Sequence, residues 1–132
     1  MNPRLMRLQG DFSRLQDLEA RSSMVKIEQM VGAPPEKYEL TLLCRSIIRL
    51  ENHQPVYANQ HRLSIILGKD YPRISPEFKM LTPIWHPNIH ETEGWICMGH
   101  EGVDRRGYSP SMGLDDLVIR VIQIIIYENY SK

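Results

Sequence analysis

Residues 82–113 read TPIWHPNIHETEGWICMGHEGVDRRGYSPSMG, and this stretch decides how the chain is organised. Its breakers of regular structure are Pro83, Pro87, Gly94, Gly99, Gly102, Gly107, Pro110 and Gly113. Residues of these two types exclude a long helix or strand, so the stretch is predicted to be a loop. A loop of this length in a small domain is usually functional, and we therefore expect the chemistry of the protein to lie here.

Cys97 is the candidate nucleophile of this loop. It follows Gly94-Trp95-Ile96, and a free thiol in a glycine-flanked loop is open to a large partner. Cys44 is different, because it continues the apolar positions of a predicted strand and is expected to be buried. The pattern alone leaves Cys97 open between a reactive thiol and a buried one.

Before the loop, hydrophobic spacing predicts one helix followed by four strands. Asn2-Pro3 is a typical helix start, since asparagine caps well and proline suits the first helical position. The apolar stripe of the helix comprises Leu5, Leu8, Phe12, Leu15 and Leu18, with Arg4, Arg7, Asp11 and Arg14 mostly on the other side. Alternating apolar residues predict strands at 25–31, 38–45, 63–67 and 78–81, with breaks at 32–35 and 51–55. Short connections predict an antiparallel meander.

After the loop, apolar residues at helical spacing predict a second helix over 114–125 that lies on the sheet. Asp115 and Asp116 fall in its first turn, where carboxylates suit the helix dipole. Residues 121–126 are almost continuously apolar, so one sheet-facing stripe is expected to bury part of them and leave the rest for a partner.

Length and composition indicate a single soluble domain over residues 1–132. Lys+Arg and Asp+Glu are equal at 16 each, which gives no field that favours nucleic acid or an acidic membrane. Residues 117–127 are too few to span a bilayer, which needs about 20 apolar residues. The first 21 residues lack the apolar centre of a signal peptide, and two cysteines cannot form a disulfide-rich scaffold. We therefore expect a reducing, cytoplasmic location.

Four motifs follow one another between residues 71 and 110. His86-Pro87-Asn88-Ile89, followed by Gly94-Trp95-Ile96-Cys97, is similar to the His-Pro-Asn signature and active-site cysteine of the ubiquitin-conjugating enzyme family. Tyr71-Pro72 with Pro76 resembles its Tyr-Pro loop, residues 78–85 resemble the strand before the signature, and Tyr108-Ser109-Pro110 resembles the segment that opens the second helix. The resemblance implies an α+β ubiquitin-conjugating-like fold with an N-terminal helix, a four-stranded antiparallel meander, an active-site loop and one crossing helix. The family's later helices would be absent, as in short conjugating-like proteins of prokaryotic gene clusters.

The same resemblance implies a function. Cys97 would accept a ubiquitin-like modifier from an activating enzyme as a thioester and pass it to a lysine amine, with the Asn88 amide as oxyanion donor. His86, Pro87, Ile89, Gly94, Ser109 and Pro110 would support the active-site loop. Arg4, Arg7 and Arg14 lie on the helix that family members present to the activating enzyme. A ligase and a second copy of the chain are further candidate partners, and no cofactor is implied.

Departures from the family pattern keep alternatives open. The spacer between Asn88 and Cys97 is one residue longer than usual, and Glu101 or Asp104 would have to replace an acidic residue that follows the family's second helix. A zinc site at Cys97 and His100, joined by His86 or His90, is not predicted, because zinc sites normally use four ligands in paired groups. The alternative function is a non-catalytic module that binds a ubiquitin-like protein, although related inactive proteins typically lack the cysteine.

Overall fold

A computed structural model describes residues 2–86, 94–96 and 108–126. Its helices and strands are α1 Pro3–Arg21, β1 Val25–Gly32, β2 Pro35–Leu42, β3 Ser46–Glu51, β4 Gln54–Ala58, β5 His61–Ile66, β6 Glu77–Met80, β7 Trp95–Ile96 and α2 Leu114–Ile125. Five strands form one antiparallel sheet in the order β1-β2-β5-β6-β7, and β3 pairs with β4 in a separate two-stranded sheet. The predicted α+β class is confirmed.

The start of α1 is confirmed at the predicted residues. The Asn2 side chain accepts hydrogen bonds from the backbone N–H groups of Arg4 at 2.7 Å and Leu5 at 3.2 Å, and Pro3 occupies the first helical position. The predicted apolar stripe buries Leu8, Leu15 and Leu18 and leaves Leu5 exposed. The prediction was wrong for Asp11, which is 1% exposed and faces the interior.

All four predicted strands form, and they are consecutive neighbours in the sheet. The inner face carries large side chains from β2, β5 and β6, namely Tyr38, Leu40, Leu42, Leu63, Ile65, Phe78 and Met80. Cys44 lies just beyond β2 and is buried, as predicted. β7 adds a fifth, two-residue strand at the edge of the sheet inside the stretch that was predicted to be a loop.

The break predicted at residues 51–55 is the turn of an additional hairpin formed by β3 and β4. Asn52 and His53 have φ values of 50° and 64°, the backbone that the tight turn of a two-residue hairpin requires. The hairpin is tied to the residues before the predicted signature, because the Trp85 N–H donates to the Ile47 carbonyl oxygen at 2.9 Å. The hairpin was not predicted, because a bulge between Ile47 and Arg49 interrupts the alternation of apolar and polar residues that indicates a strand.

The second helix, α2, forms over the predicted residues and contributes to the common core. It was predicted to lie on the sheet, whereas its main packing neighbour is α1, because the apolar stripes of the two helices meet in the shared core. Its buried residues are Leu114, Leu117, Val118, Val121, Ile122 and Ile125. Ile119 and Ile126 are 39% and 41% exposed, so the apolar surface left on the described part of this helix is limited to its outer edge. No helix among the described residues is long and apolar enough to cross a membrane.

Candidate functional site

The two predicted catalytic residues, Asn88 and Cys97, lie outside the described residues, and so do Pro87 and Ile89. Glu101 and Asp104, the candidate acidic substitutes, lie outside them as well. The roles given to these residues stay predictions. The structure does describe the chain on both sides of the signature and at the end of the loop, and these three flanks define the site.

The flank before Cys97 is a short strand anchored on β6. Gly94 has φ +77°, and its carbonyl oxygen accepts a hydrogen bond of 2.7 Å from the Met80 N–H. Trp95 then lies opposite Lys79, and the buried Ile96 lies opposite Phe78. A Cβ atom on Gly94 would lie 2.1 Å from the Met80 carbonyl oxygen, so glycine is required here for both backbone angle and space. The backbone is therefore held by the sheet up to the residue before Cys97.

The flank before Asn88 ends in His86. Ile84 is buried in the core, Trp85 is bonded to β3, and His86 is half-buried. Burial lowers the pKa of His86, which favours the neutral imidazole at pH 7. A neutral, partly buried ring fits the predicted structural role of His86 better than that of a proton carrier exposed to solvent.

The third flank, residues 108–113, joins the end of the loop to α2. The Tyr108 hydroxyl donates to the Pro72 carbonyl oxygen at 2.5 Å. The Met112 N–H donates to the Ser109 carbonyl oxygen at 2.9 Å, and the Ser111 N–H donates to the Ser109 hydroxyl at 3.3 Å. Ser109 is thus a turn-forming residue, consistent with the supporting role predicted for Ser109 and Pro110.

Asp11 is the residue at this flank that sequence reasoning missed. Its carboxylate accepts hydrogen bonds from the Arg7 Nε at 3.0 Å, from the Tyr71 hydroxyl and from the Leu114 N–H at 3.2 Å. Burial and the bond to Asp11 raise the pKa of Tyr71, which keeps the phenol protonated as a donor. We call Arg7, Asp11, Tyr71 and Leu114 the Asp11 cluster. A signal was present, because Leu8, Asp11, Leu15 and Leu18 share the 3-4-3 spacing of one helix face.

The three arginines predicted to face the activating enzyme differ in their surroundings. Arg4 donates to the Gly68 carbonyl oxygen at 2.7 Å and forms an ion pair with Glu36 at 3.2 Å. Arg7 belongs to the Asp11 cluster and also donates to the carbonyl oxygens of Pro110 and Met112. Arg14 is exposed on α1. Two of the three therefore have partners within the chain, which their predicted position opposite the apolar stripe did not indicate.

Among the described residues no group of three or more His, Cys, Asp or Glu side chains is placed to hold a metal ion. Three of the four residues weighed for zinc, His90, Cys97 and His100, lie outside that part of the chain.

Sequence comparison matches residues 7–132 to the profile of a family described as ubiquitin-conjugating enzyme. The ubiquitin-conjugating enzyme E2 S of Danio rerio is 27% identical over 129 residues, which cover 98% of this chain and 56% of that protein. The NEDD8-conjugating enzyme ubc-12 of Caenorhabditis elegans is 33% identical over 66 residues, covering 48% of this chain and 36% of that protein. This chain thus spans little more than half the length of the E2 S relative. Because these relatives are eukaryotic, the resemblance to prokaryotic short forms is not borne out.

Solved structures of similar fold include the human ubiquitin-conjugating enzyme E2 G1, with a TM-score of 0.64 and 20% identity. That match covers 89% of this chain and 92% of the human one. A ubiquitin-conjugating enzyme E2 of Plasmodium falciparum has a TM-score of 0.67 and 19% identity, covering 94% of this chain and 99% of that one. At this identity the matches establish the fold.

Proposed function

Because the chain belongs to the ubiquitin-conjugating enzyme family, we propose that it carries a ubiquitin-like modifier as a thioester on Cys97 and transfers it to an amine. The observation that carries the proposal is the family match over residues 7–132. His86-Pro87-Asn88 and Cys97 lie within that range and resemble the family's signature and active-site cysteine. The anchored strand β7, which ends one residue before Cys97, supports it.

The proposed reaction is two successive acyl transfers. The Cys97 thiolate attacks the modifier's C-terminal carbonyl carbon on the activating enzyme, and the enzyme's own thiolate leaves. A lysine amine of the target then attacks the Cys97 thioester and a C–N bond forms. The C–S bond breaks, its electron pair leaves with the Cys97 thiolate, and the amine proton passes to solvent water. Each attack places negative charge on the carbonyl oxygen, and the Asn88 side-chain amide is the proposed donor to it. ATP is spent by the activating enzyme, so this chain needs no cofactor.

The surroundings of Cys44 support the choice between the two cysteines. Cys44 is 8% exposed, and burial raises the pKa of its thiol, which disfavours the nucleophilic thiolate. Its sulfur lies 3.6 Å from the Ser46 hydroxyl in the core. At this exposure the sulfur is closed to a large partner.

Loading assays test the proposal. The chain is incubated with ATP and either ubiquitin or NEDD8, each with its own activating enzyme, because relatives of both kinds are known. We expect a thiol-sensitive adduct that is lost in Cys97→Ala and kept in Cys44→Ala. Cys97→Ser should give a thiol-resistant oxyester, because an alkoxide is a poorer leaving group than a thiolate. An adduct that persists in Cys97→Ala contradicts the proposal. Binding of modifier without any adduct would favour the non-catalytic module instead.

The proposed partners are the modifier, the activating enzyme and a target protein, in a reducing compartment such as the cytoplasm. Arg14 is the arginine of α1 best placed to meet the activating enzyme, since Arg4 and Arg7 have partners in their own chain. A ligase remains a proposed partner. The exposed Ile119 and Ile126 are the proposed contact for a second copy of the chain.

A further inference from the structure

We infer that Arg7 and Asp11 are positioning residues, which hold residues 108–114 in place from α1 and thereby set the rate at which Cys97 gives up its modifier. The inference deepens the proposed function and rests on it. The claim that α1 holds residues 108–114 concerns described residues alone, and hydrogen exchange can test it without an activity assay.

Asp11 joins three parts of the chain that are distant in sequence. Asp11 lies in the middle of α1, and its carboxylate accepts hydrogen bonds from the Tyr71 hydroxyl and the Leu114 N–H. Arg7, which donates to the same carboxylate, neutralises its charge. Leu114 is the first residue of α2, where backbone N–H groups lack partners within the helix and favour a negative charge. Asp11 thus holds the start of α2, where Asp116 also accepts from the Gly113 N–H at 3.2 Å. Asparagine at position 11 would keep one acceptor oxygen and replace the other with an NH2 donor, so either the Leu114 N–H or the Arg7 and Tyr71 donors would lose their acceptor.

Arg7 extends this link into the segment before α2. Its two terminal nitrogens donate to the carbonyl oxygens of Pro110 and Met112, while its Nε is bonded to Asp11. Its guanidinium also lies 5.2 Å from the centre of the Tyr71 ring. One planar side chain therefore meets two carbonyls and a carboxylate at the same time. Lysine has a single nitrogen at its tip and cannot reproduce this arrangement.

The position of this segment matters for the proposed reaction. Residues 108–113 are the described end of the connection that runs from Cys97 to α2. They are held by Arg7, by Asp11 at Leu114 and by the bond from Tyr108 to Pro72. Acyl transfer depends on reacting groups being held in line, and a shift of about 1 Å can cost about 100-fold in rate. Loss of the link from α1 should therefore slow discharge more than it affects the final amount of loading.

The test compares two changes in the cluster with two changes in an exposed pair on the same helix. Asp11→Asn and Arg7→Lys alter the cluster, whereas Asp17→Asn and Arg21→Lys alter an i,i+4 ion pair of 2.8 Å in which both side chains are more than half exposed. Hydrogen exchange of the full chain should become roughly tenfold faster or more at residues 111–117 in the cluster variants, with β2 and β5 unchanged. The exposed pair should leave exchange at residues 111–117 unchanged.

Single-turnover discharge of the loaded protein to free lysine provides the second measurement. We expect the maximal discharge rate of the cluster variants to fall roughly tenfold or more. The lysine concentration at which the discharge rate is half-maximal should change little. The fold-decrease in discharge rate of the Arg7→Lys, Asp11→Asn double variant should be smaller than the product of the fold-decreases of the two single variants, because the two residues act as one unit. A purely structural role would lower the melting temperature without changing the discharge rate of the folded protein.

The outcomes separate this inference from the proposed function. If the wild-type chain never loads, the proposed function fails, and the claim about discharge fails with it, while exchange still tests the link from α1. Unchanged exchange at residues 111–117 in both cluster variants overturns the inference, whatever the loading assay shows. Cluster variants that exchange faster at residues 111–117 but discharge at the wild-type rate also overturn the inference. If Asp11→Asn does not fold, Arg7→Lys decides alone, since it keeps the buried carboxylate.

Discussion

Gly94→Ala is the substitution that tests most directly how the chain is held before Cys97. A residue with a Cβ pays about 1–2 kcal/mol for the left-handed backbone that Gly94 adopts at φ +77°. The new methyl would also lie 2.1 Å from the Met80 carbonyl oxygen, a separation that real Cβ atoms do not show. Met80 donates to Gly94 through its N–H at 2.7 Å, so moving Met80 away weakens that bond, which is worth about 0.5–1.5 kcal/mol.

The two effects together predict a loss of about 1.5–3.5 kcal/mol in the free energy of unfolding. At about 4 °C per kcal/mol for a domain of this size, that corresponds to a fall of about 6–14 °C in melting temperature. Circular dichroism during heating measures the change. Gly10→Ala is the matched control, because Gly10 lies within α1 and a Cβ there would meet nothing within 4 Å. It should raise stability by about 0.5–1 kcal/mol, since alanine favours the helix.

A melting temperature for Gly94→Ala within about 2 °C of the wild type would refute this reasoning. It would mean that β7 is not held on β6 in the manner described. A loss of equal size in Gly10→Ala would also contradict it, since the cost would then come from replacing any glycine. We further expect Gly94→Ala to load modifier more slowly at temperatures where it remains folded.

Two further predictions concern the site and the core. Asn88→Ala should load normally but discharge to lysine about 100-fold more slowly or worse in single-turnover assays. Equal discharge would leave Asn88 as a turn residue beyond reach of the thioester. His61 is 1% exposed, with Nε2 3.0 Å from the Cys44 carbonyl oxygen, and burial lowers its pKa. Because the folded state favours the neutral ring, stability should be complete above the unfolded pKa of about 6.5 and fall as pH drops toward the lower folded-state pKa. Urea unfolding measures the free energy of unfolding between about pH 7.5 and pH 5. That free energy should fall less steeply with decreasing pH in His61→Gln than in the wild type, although the contribution of His86 remains. An equally steep fall in the two proteins would contradict this.

Several features of the fold were predictable because they depend on neighbouring residues. Asn2 and Pro3 define a helix start through local hydrogen bonding and a preset φ, and the structure has that start. The alternation of Tyr38, Leu40 and Leu42 indicates a half-buried strand, and all three side chains are fully buried. Cys44 follows the same pattern and is also buried, which separated it from Cys97 without any structure.

The hairpin of β3 and β4 was not predictable in the same way. Its bulge between Ile47 and Arg49 breaks the alternation by which strands are detected. Its turn uses Asn52 and His53 at positive φ and lacks the glycine that usually marks a two-residue hairpin turn in a sequence. Strand β7 is two residues long and depends on Gly94 meeting Met80 across the sheet. A pair so short leaves no periodic pattern in the sequence.

The sequence by itself determined the family motifs, the order of the two helices and of four of the strands, and Cys97 as the candidate nucleophile. Tertiary structure decided which polar residues are inside. Asp11 has the spacing of a core position and the charge of a surface position. It is buried because Tyr71 and Leu114, which are 60 and 103 positions further along the chain, donate hydrogen bonds to its carboxylate. The cost of burying a charge depends on partners that only the folded chain assembles, and no local pattern contains them.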